Sequence, residues 1–165
     1  MSLGVSFAIS PRQSSELLAL EDDAARMEWL EALEEDEAAT DSLDFDKAWD
    51  PLHRCLGDGS LVAINDGPPG VPHAVFGSRA LMEDEDSPVF AGLLPADDVP
   101  AVAGALADVD RDWLLERYKR LDPADHGGEL GNEDFEYVAG ALADLQAFLA
   151  RAAQGGSAVV FTVAD

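Results

Sequence analysis

A histidine, a tryptophan and two aspartates lie close together in one short stretch of the chain. Trp49 and His53 are four positions apart, so a helix would place both side chains on one face. Asp44 and Asp46 precede them, and either carboxylate could orient the imidazole as a general base. The spacing predicts a ligand-binding cleft walled by Trp49, with Asp46 and His53 as polar groups. The alternative is a small hydrolase that uses His53 with Asp46 or Asp44.

The same residues also have an ordinary structural interpretation. Asp44 is a suitable N-cap for a helix that reaches Gly57, and Asp46 would stabilise its first turn. His53 would then be a half-buried residue at the rim of the core. Pro51 falls inside this helical pattern, where it would either kink the helix or restart it after Asp50. The sequence leaves both interpretations open.

Arg79 joins Trp49, His53 and Asp46 in the candidate ligand-binding set. It is one of only two basic residues between positions 51 and 100. An isolated arginine in an acidic chain is either an internal salt-bridge partner or a group that binds an anion. Cys55 lies in an apolar stretch without an evident base, which favours an inert core thiol over a nucleophile.

We expect no cofactor and no metal site, because the sequence carries no established motif for either. The chain contains no phosphate-binding loop, dinucleotide-binding glycine pattern, nucleophile elbow or zinc-protease helix motif. Residues 108–112 begin like a calcium loop, but Trp113 and Lys119 stand where a glycine and a bidentate glutamate are needed. His126 lies among acidic residues, and nothing in the sequence fixes a coordination geometry there.

Hydrophobic periodicity indicates which elements position these residues. Alternation predicts a strand over 3–9, and a capping box of Ser10 and Gln13 begins the next helix. Helical spacing follows over 22–37, before Gly57, after Pro95, after Asp110 and from residue 132 to residue 154. A strand is predicted over 158–163, and further strands are possible at 61–64, 74–76 and 89–91. The fold class is therefore α+β, with a small mixed β-sheet that has strands at both termini and is packed by about six helices.

Three stretches of the chain carry a family resemblance. The first is the N-terminal strand that runs into Ser10-Pro11. The second, residues 43–53, resembles an Asp-Lys-Ala-Trp-x-x-Leu-His core, and the third runs from Asp134 to the strand at Ala158. Together they resemble the YfbM-like bacterial family, a domain of unknown function, over nearly the whole chain.

The resemblance implies a single YfbM-like domain over 1–165 with an α+β fold. It implies no activity, because none is known to us for that family. Two features depart from the family pattern. The counterpart of a Gly-Pro-Ala-Arg-like element is either Gly77-Ser78-Arg79, followed by an acidic insertion, or residues 91–94, which contain no arginine. Arg79 therefore need not be equivalent to the family's arginine, and Pro51 is unusual in the central helix.

Charge and composition exclude several classes of partner. The chain has 34 Asp and Glu against 10 Lys and Arg, for a net charge of −24. It therefore lacks the cationic face that nucleic acids and anionic membranes require. No basic residue precedes Arg12, which argues against a signal peptide, and the single cysteine is typical of a reducing compartment. We expect a cytoplasmic protein.

These observations favour a non-enzymatic binding or interaction protein. Its partner would be a basic protein or a small ligand, and an acidic immunity-type inhibitor of a basic toxin is one concrete form. The hydrolase built on His53 is one alternative. In the other, the acidity reflects a salty habitat or genome composition, and no partner is drawn by charge. The sequence leaves the oligomeric state open.

Overall fold

One five-stranded sheet organises the part of the chain that the computed structural model describes, which is residues 2–36, 41–62, 64–84, 86, 87, 89–125 and 130–164. The strands are β1 (Leu3–Ile9), β2 (Ser42–Asp46), β3 (Arg79–Ala80), β4 (Val89–Leu94) and β5 (Ala158–Ala164). Their order across the sheet is β2-β1-β5-β4-β3. The helices are α1 (Pro11–Ala19), α2 (Asp23–Glu35), α3 (Trp49–Leu56), α4 (Val99–Ala107), α5 (Arg111–Tyr118) and α6 (Asn132–Gln154), with a short 3-10 helix at Val71–His73.

The α+β class, the terminal strands and the six helices are confirmed, but the sheet is antiparallel rather than mixed. Each neighbouring pair of described strands is antiparallel. The last residue of β4, Leu94, pairs with Val159 near the start of β5. The three helices α4 to α6 therefore leave the sheet and re-enter it at the same end, which makes the two strands antiparallel.

The two faces of the sheet are covered unequally. Alternate residues of β1 and β5 point to opposite faces. One face, which includes Phe161 and Val163, packs against α3 to α6 in the larger core. The other, which includes Phe7, Ile9 and Val160, packs against leucines of the two helices α1 and α2.

Local capping signals in the sequence correspond to real helix starts. The Ser10 hydroxyl accepts from the Gln13 amide, and the Gln13 side chain accepts from the Ser10 amide, which completes the predicted capping box. Asp110 caps α5 by accepting from the Trp113 amide at 2.8 Å. Such signals are predictable because every contact lies within a few residues.

Asp44 is not a helix cap, and its assignment as one is wrong. It lies in β2, where Leu43 and Phe45 alternate with polar residues and pair with β1. Helix α3 begins only at Trp49, so Pro51 is the third residue of its first turn. The amide that proline lacks has no partner within the helix at that position, so Pro51 neither kinks nor restarts α3.

The remaining expectations for local structure are met in part. The strand expected at 89–91 is confirmed and extends through β4, whereas 74–76 forms a turn after the 3-10 helix. Leu61 and Val62, from the possible strand at 61–64, lie in a loop. Three residues with a predicted role lie outside the described residues: residue 37 at the end of the second predicted helix, residue 63 in that possible strand, and His126. None of the helices in the described part of the chain combines the length and hydropathy that a bilayer-spanning segment needs.

Candidate functional site

Trp49 is held as a packing residue at the start of α3. Its indole Nε1 donates a hydrogen bond to the Ser2 carbonyl at 3.0 Å. Its ring lies 5.8 Å from the ring of Phe76 and 6.1 Å from that of Phe161, measured between centroids. A methyl group added at Gly4 would come within 2.8 Å of the indole. The tryptophan therefore fastens α3 to β1 and to the larger core.

His53 lies one turn further along α3 and is fully enclosed. Its side chain is 1% exposed, and its Nε2 donates to the Val62 carbonyl at 2.6 Å. The imidazole stacks on Phe76. Burial lowers the pKa of His53, because the charged imidazolium is poorly solvated there. No described residue bonds the other ring nitrogen, Nδ1.

Asp46 lies at the surface end of β2, in the left-handed backbone region with φ 53°. Its carboxylate accepts from the Tyr137 hydroxyl at 2.7 Å, and its amide donates to the Asp44 carboxylate at 2.8 Å. Among the described residues, no hydrogen bond joins His53 to either aspartate. The contacts that a His–Asp general base would need are therefore not made here.

Arg79 is exposed in the two-residue strand β3. This strand and β2 form opposite edges of the sheet, about 19 Å apart at the usual strand spacing. No ion pair joins Arg79 to a carboxylate in the described ranges. The structure thus brings Trp49 and His53 together around Phe76, and leaves Asp46 and Arg79 apart.

The thiol and the histidines offer no metal centre in the described part of the chain. Within the ranges given above, no three His, Cys, Asp or Glu side chains are grouped to hold an ion, and His126 lies outside those ranges. Cys55 is buried, and this burial raises the pKa of its thiol to about 12. A thiol that stays protonated is neither a nucleophile nor a good metal ligand at neutral pH.

A groove on the less covered face of the sheet was not predicted from the sequence. It encloses about 800 Å³. Its floor is formed by apolar residues of β1, β4 and β5, and one wall is formed by α2. The apolar and hydroxyl lining residues are Leu3, Val5, Phe7, Met27, Leu30, Leu33, Ser42, Val89, Thr162 and Ala164.

The rim of this groove carries charges of one sign. Its charged lining residues are Glu31, Glu34, Asp36 and Asp44, and no lysine or arginine is among the described residues that line it. The Glu34 carboxylate accepts from the Thr162 hydroxyl at 3.1 Å, which places that charge over β5. Leu3 on the floor is 52% exposed. The groove therefore combines exposed apolar surface with negative potential.

Only part of the groove had a signal in the sequence. The alternation of Leu3 and Val5 predicted a half-buried strand, and the helical spacing of Met27 and Leu30 predicted an inward face. Neither pattern shows that a groove remains between α2 and the sheet. Asp44, interpreted as a cap, belongs to the groove because β2 pairs it with Val5.

Comparisons with known proteins support the family resemblance and add no activity. A family model described as a domain of unknown function (DUF1877) matches residues 1–162. The crystal structure of YfbM from Escherichia coli, titled a protein of unknown function, matches with 21% identity and a TM-score of 0.71, over 98% of this chain and 99% of that chain. At that identity the likeness shows the fold. No curated protein matches the chain. The YfbM-like resemblance is confirmed.

Proposed function

Because the chain belongs to the DUF1877 family, a domain of unknown function, we propose its function from the geometry of the groove. The protein is a non-enzymatic interaction protein that binds a positively charged partner, and the groove is its binding site. An acidic immunity-type inhibitor, which covers a basic toxin, is the most concrete form of this function.

The observation that carries the proposal is an apolar floor beneath a rim of carboxylates. Covering exposed side chains such as Leu3 supplies affinity, at about 25 cal/mol for each Å² of apolar surface removed from water. The rim selects the sign of the partner, since Glu31 and Asp44 attract cations and repel anions. Neither feature requires a catalytic group.

The charge of the whole chain supports the same kind of partner. A net charge of −24 accelerates the encounter with a cationic molecule and disfavours nucleic acid and anionic membranes. The effect weakens as salt rises, because the screening length falls to about 8 Å at physiological ionic strength. A basic protein or a small cationic ligand with an apolar body fits both features.

We place this binding in the cytoplasm. The single cysteine, Cys55, is buried and free, which suits a reducing compartment. The hydrolase alternative is not part of the proposal, because neither Asp44 nor Asp46 bonds to His53 in the described structure.

The test uses a fluorescent peptide built from Lys and Leu, with a counterpart in which every Lys is replaced by Glu. Fluorescence anisotropy measures the Kd of each peptide at low and at physiological salt. We expect the Lys peptide to bind and the Glu peptide not to bind. Glu31→Lys, which reverses one rim charge, should weaken binding about tenfold, equivalent to ~1.4 kcal/mol.

The matched control is Glu28→Lys on the solvent-facing side of the same helix. Glu28 is exposed and does not line the groove, so both variants change the net charge equally. We expect the control to keep nearly all of the affinity. Equal losses in the two variants would mean that diffuse charge alone attracts the peptide, and would overturn the groove as the site.

A further inference from the structure

In the described part of the chain, no helix lies over the groove on the less covered face of the sheet. The opposite face is covered by four helices, and α6 alone has 23 residues, about 35 Å in length. On the groove side, α1 has 9 residues and α2 has 13. The smaller core packs beneath these two helices, and the groove lies beside α2 on the same face.

We infer that the groove receives an amphipathic α-helix of the partner, which lies alongside α2 on the sheet. This inference rests on the proposed function, and it adds the conformation and the side-chain pattern of the cationic segment. This helix must present an apolar stripe toward the floor and Lys or Arg on both flanks of that stripe.

The hydrogen bonding of the floor's backbone favours a helix over an extended strand as the bound segment. Val5 of β1 is paired on one side with Asp44 and on the other with Thr162, so the amides and carbonyls of the floor already have partners. A strand laid on this face would bury its own backbone groups without hydrogen bonds. A helix satisfies those groups internally and can lie on an apolar face.

The dimensions of the groove suit one helix. Its lining extends across four neighbouring strands, from Asp44 on β2 to Val89 on β4. Because Glu34 of α2 bonds to Thr162 on β5, the width from α2 to the β2 rim is two strand spacings, about 10 Å. A helix with its side chains is about 10–12 Å wide. Met27, Leu30, Glu31 and Glu34 of α2 line the groove at the spacing of one helix face, against which a second helix packs at about 8–10 Å.

The rim charges set the pattern of the incoming helix. Glu31 and Glu34 lie on the α2 side, and Asp44 lies on the β2 side. Basic residues on both flanks of the apolar stripe would face these carboxylates. A second copy of this chain is disfavoured as the occupant, since its own net charge of −24 would repel the rim.

The test compares two peptides of identical Lys and Leu content and about 14 residues, roughly 20 Å as a helix. In one, Leu recurs at helical spacing; in the other, Leu and Lys alternate as in a strand. Kd is measured by anisotropy at concentrations where sedimentation shows both peptides to be monomeric. Far-UV circular dichroism of the complex reports helix formation.

We expect the helical-spacing peptide to bind at least tenfold more tightly than the alternating peptide and to become helical on binding. Glu31→Lys should weaken this binding about tenfold, while Glu28→Lys should not. Leu3→Ser, which removes the exposed floor residue, should weaken it as well, with no change in the dichroism spectrum of the free protein.

Two different failures can be told apart. If the alternating peptide binds as tightly and is sensitive to Glu31→Lys, the helical occupant is wrong and the cation-binding groove stands. If neither peptide binds, or if Glu31→Lys and Glu28→Lys act equally, the groove as a binding site is wrong and the inference falls with it.

Discussion

The imidazole of His53 lies flat on the phenyl ring of Phe76, with centroids 3.8 Å apart and planes within 7°. Phe76 in turn contacts the rings of Trp49 and Phe161. His53 therefore forms the end of an aromatic stack inside the larger core. Its bond to the Val62 carbonyl ties the loop after α3 to that stack.

This arrangement predicts a specific dependence of stability on pH. A histidine in the unfolded chain has a pKa of about 6.5, and burial, the largest cause, holds the pKa of His53 below that value in the folded chain. Between the two values the unfolded chain binds more protons. The free energy of unfolding should therefore be fully retained above about pH 6.5 and decrease as pH falls toward the folded pKa.

The measurement is urea unfolding across this pH range, with an NMR titration of the imidazole. His53→Phe is the control, because it keeps an aromatic ring on Phe76 and cannot titrate. Asp50, Arg54 and Asp58 also act on the imidazole, so the comparison is made between the two proteins at each pH. An NMR pKa at or above 6.5, or an unchanged pH dependence in the variant, would contradict the prediction.

The sequence predicted those parts of the fold whose signals are local. The N-terminal strand follows from alternation over seven residues, and the C-terminal strand follows from a continuous apolar run over 158–163. The capping box of Ser10 and Gln13 needs only a span of four residues. β2 was missed because its alternation covers only five residues, and Asp44 also suits a helix cap. Pairing with β1 makes this segment a strand, and local sequence preference does not reveal such long-range pairing.

The candidate site was harder to predict than the fold. The spacing of Trp49 and His53 correctly placed both side chains on one helix, but it could not show that they turn into the core. Arg79 and Asp46 were separated by the strand order, which is a property of the whole sheet. The groove depends on how α2 lies on the sheet, and neither segment alone encodes that relation.

A second prediction concerns the approach of a turn to β4. A methyl group on Gly92 would lie 1.9 Å from the Phe76 carbonyl oxygen, which is backbone and cannot turn aside. Gly92→Ala should therefore destabilise the protein by about 3 kcal/mol or more. Gly140 lies inside α6 with open space around it, so Gly140→Ala should stabilise by about 0.5–1 kcal/mol.

Urea unfolding monitored by circular dichroism measures both substitutions. Each substitution adds one methyl group, which meets backbone at Gly92 and open space inside a helix at Gly140, so their effects should have opposite signs. A Gly92→Ala protein as stable as the parent would show that the turn at Phe76 can move away from β4 at little cost.

A third prediction concerns Arg26, which joins three segments. Its guanidinium donates to the Leu20 carbonyl at 3.2 Å and to the Leu81 carbonyl at 2.7 Å. Arg26→Met should cost about 2 kcal/mol or more, because two carbonyl groups lose a charged donor. Arg12→Met is the matched control: its side chain is 90% exposed and, among the described residues, pairs only with Glu16 on the same helix, so little change is expected. Equal effects in the two variants would show that the Arg26 bonds contribute nothing specific.

The last prediction concerns the reactivity of Cys55, which is 1% exposed. Because burial raises the pKa of its thiol to about 12, only about one thiol in 10⁴ is ionised at pH 8. Modification by a disulfide reagent should therefore wait for unfolding and accelerate with added denaturant. Ser15→Cys adds an exposed thiol on α1 as an internal reference that should react at once. If both thiols of this variant react at similar rates in the native protein, Cys55 is accessible and its assignment as an inert core residue is wrong.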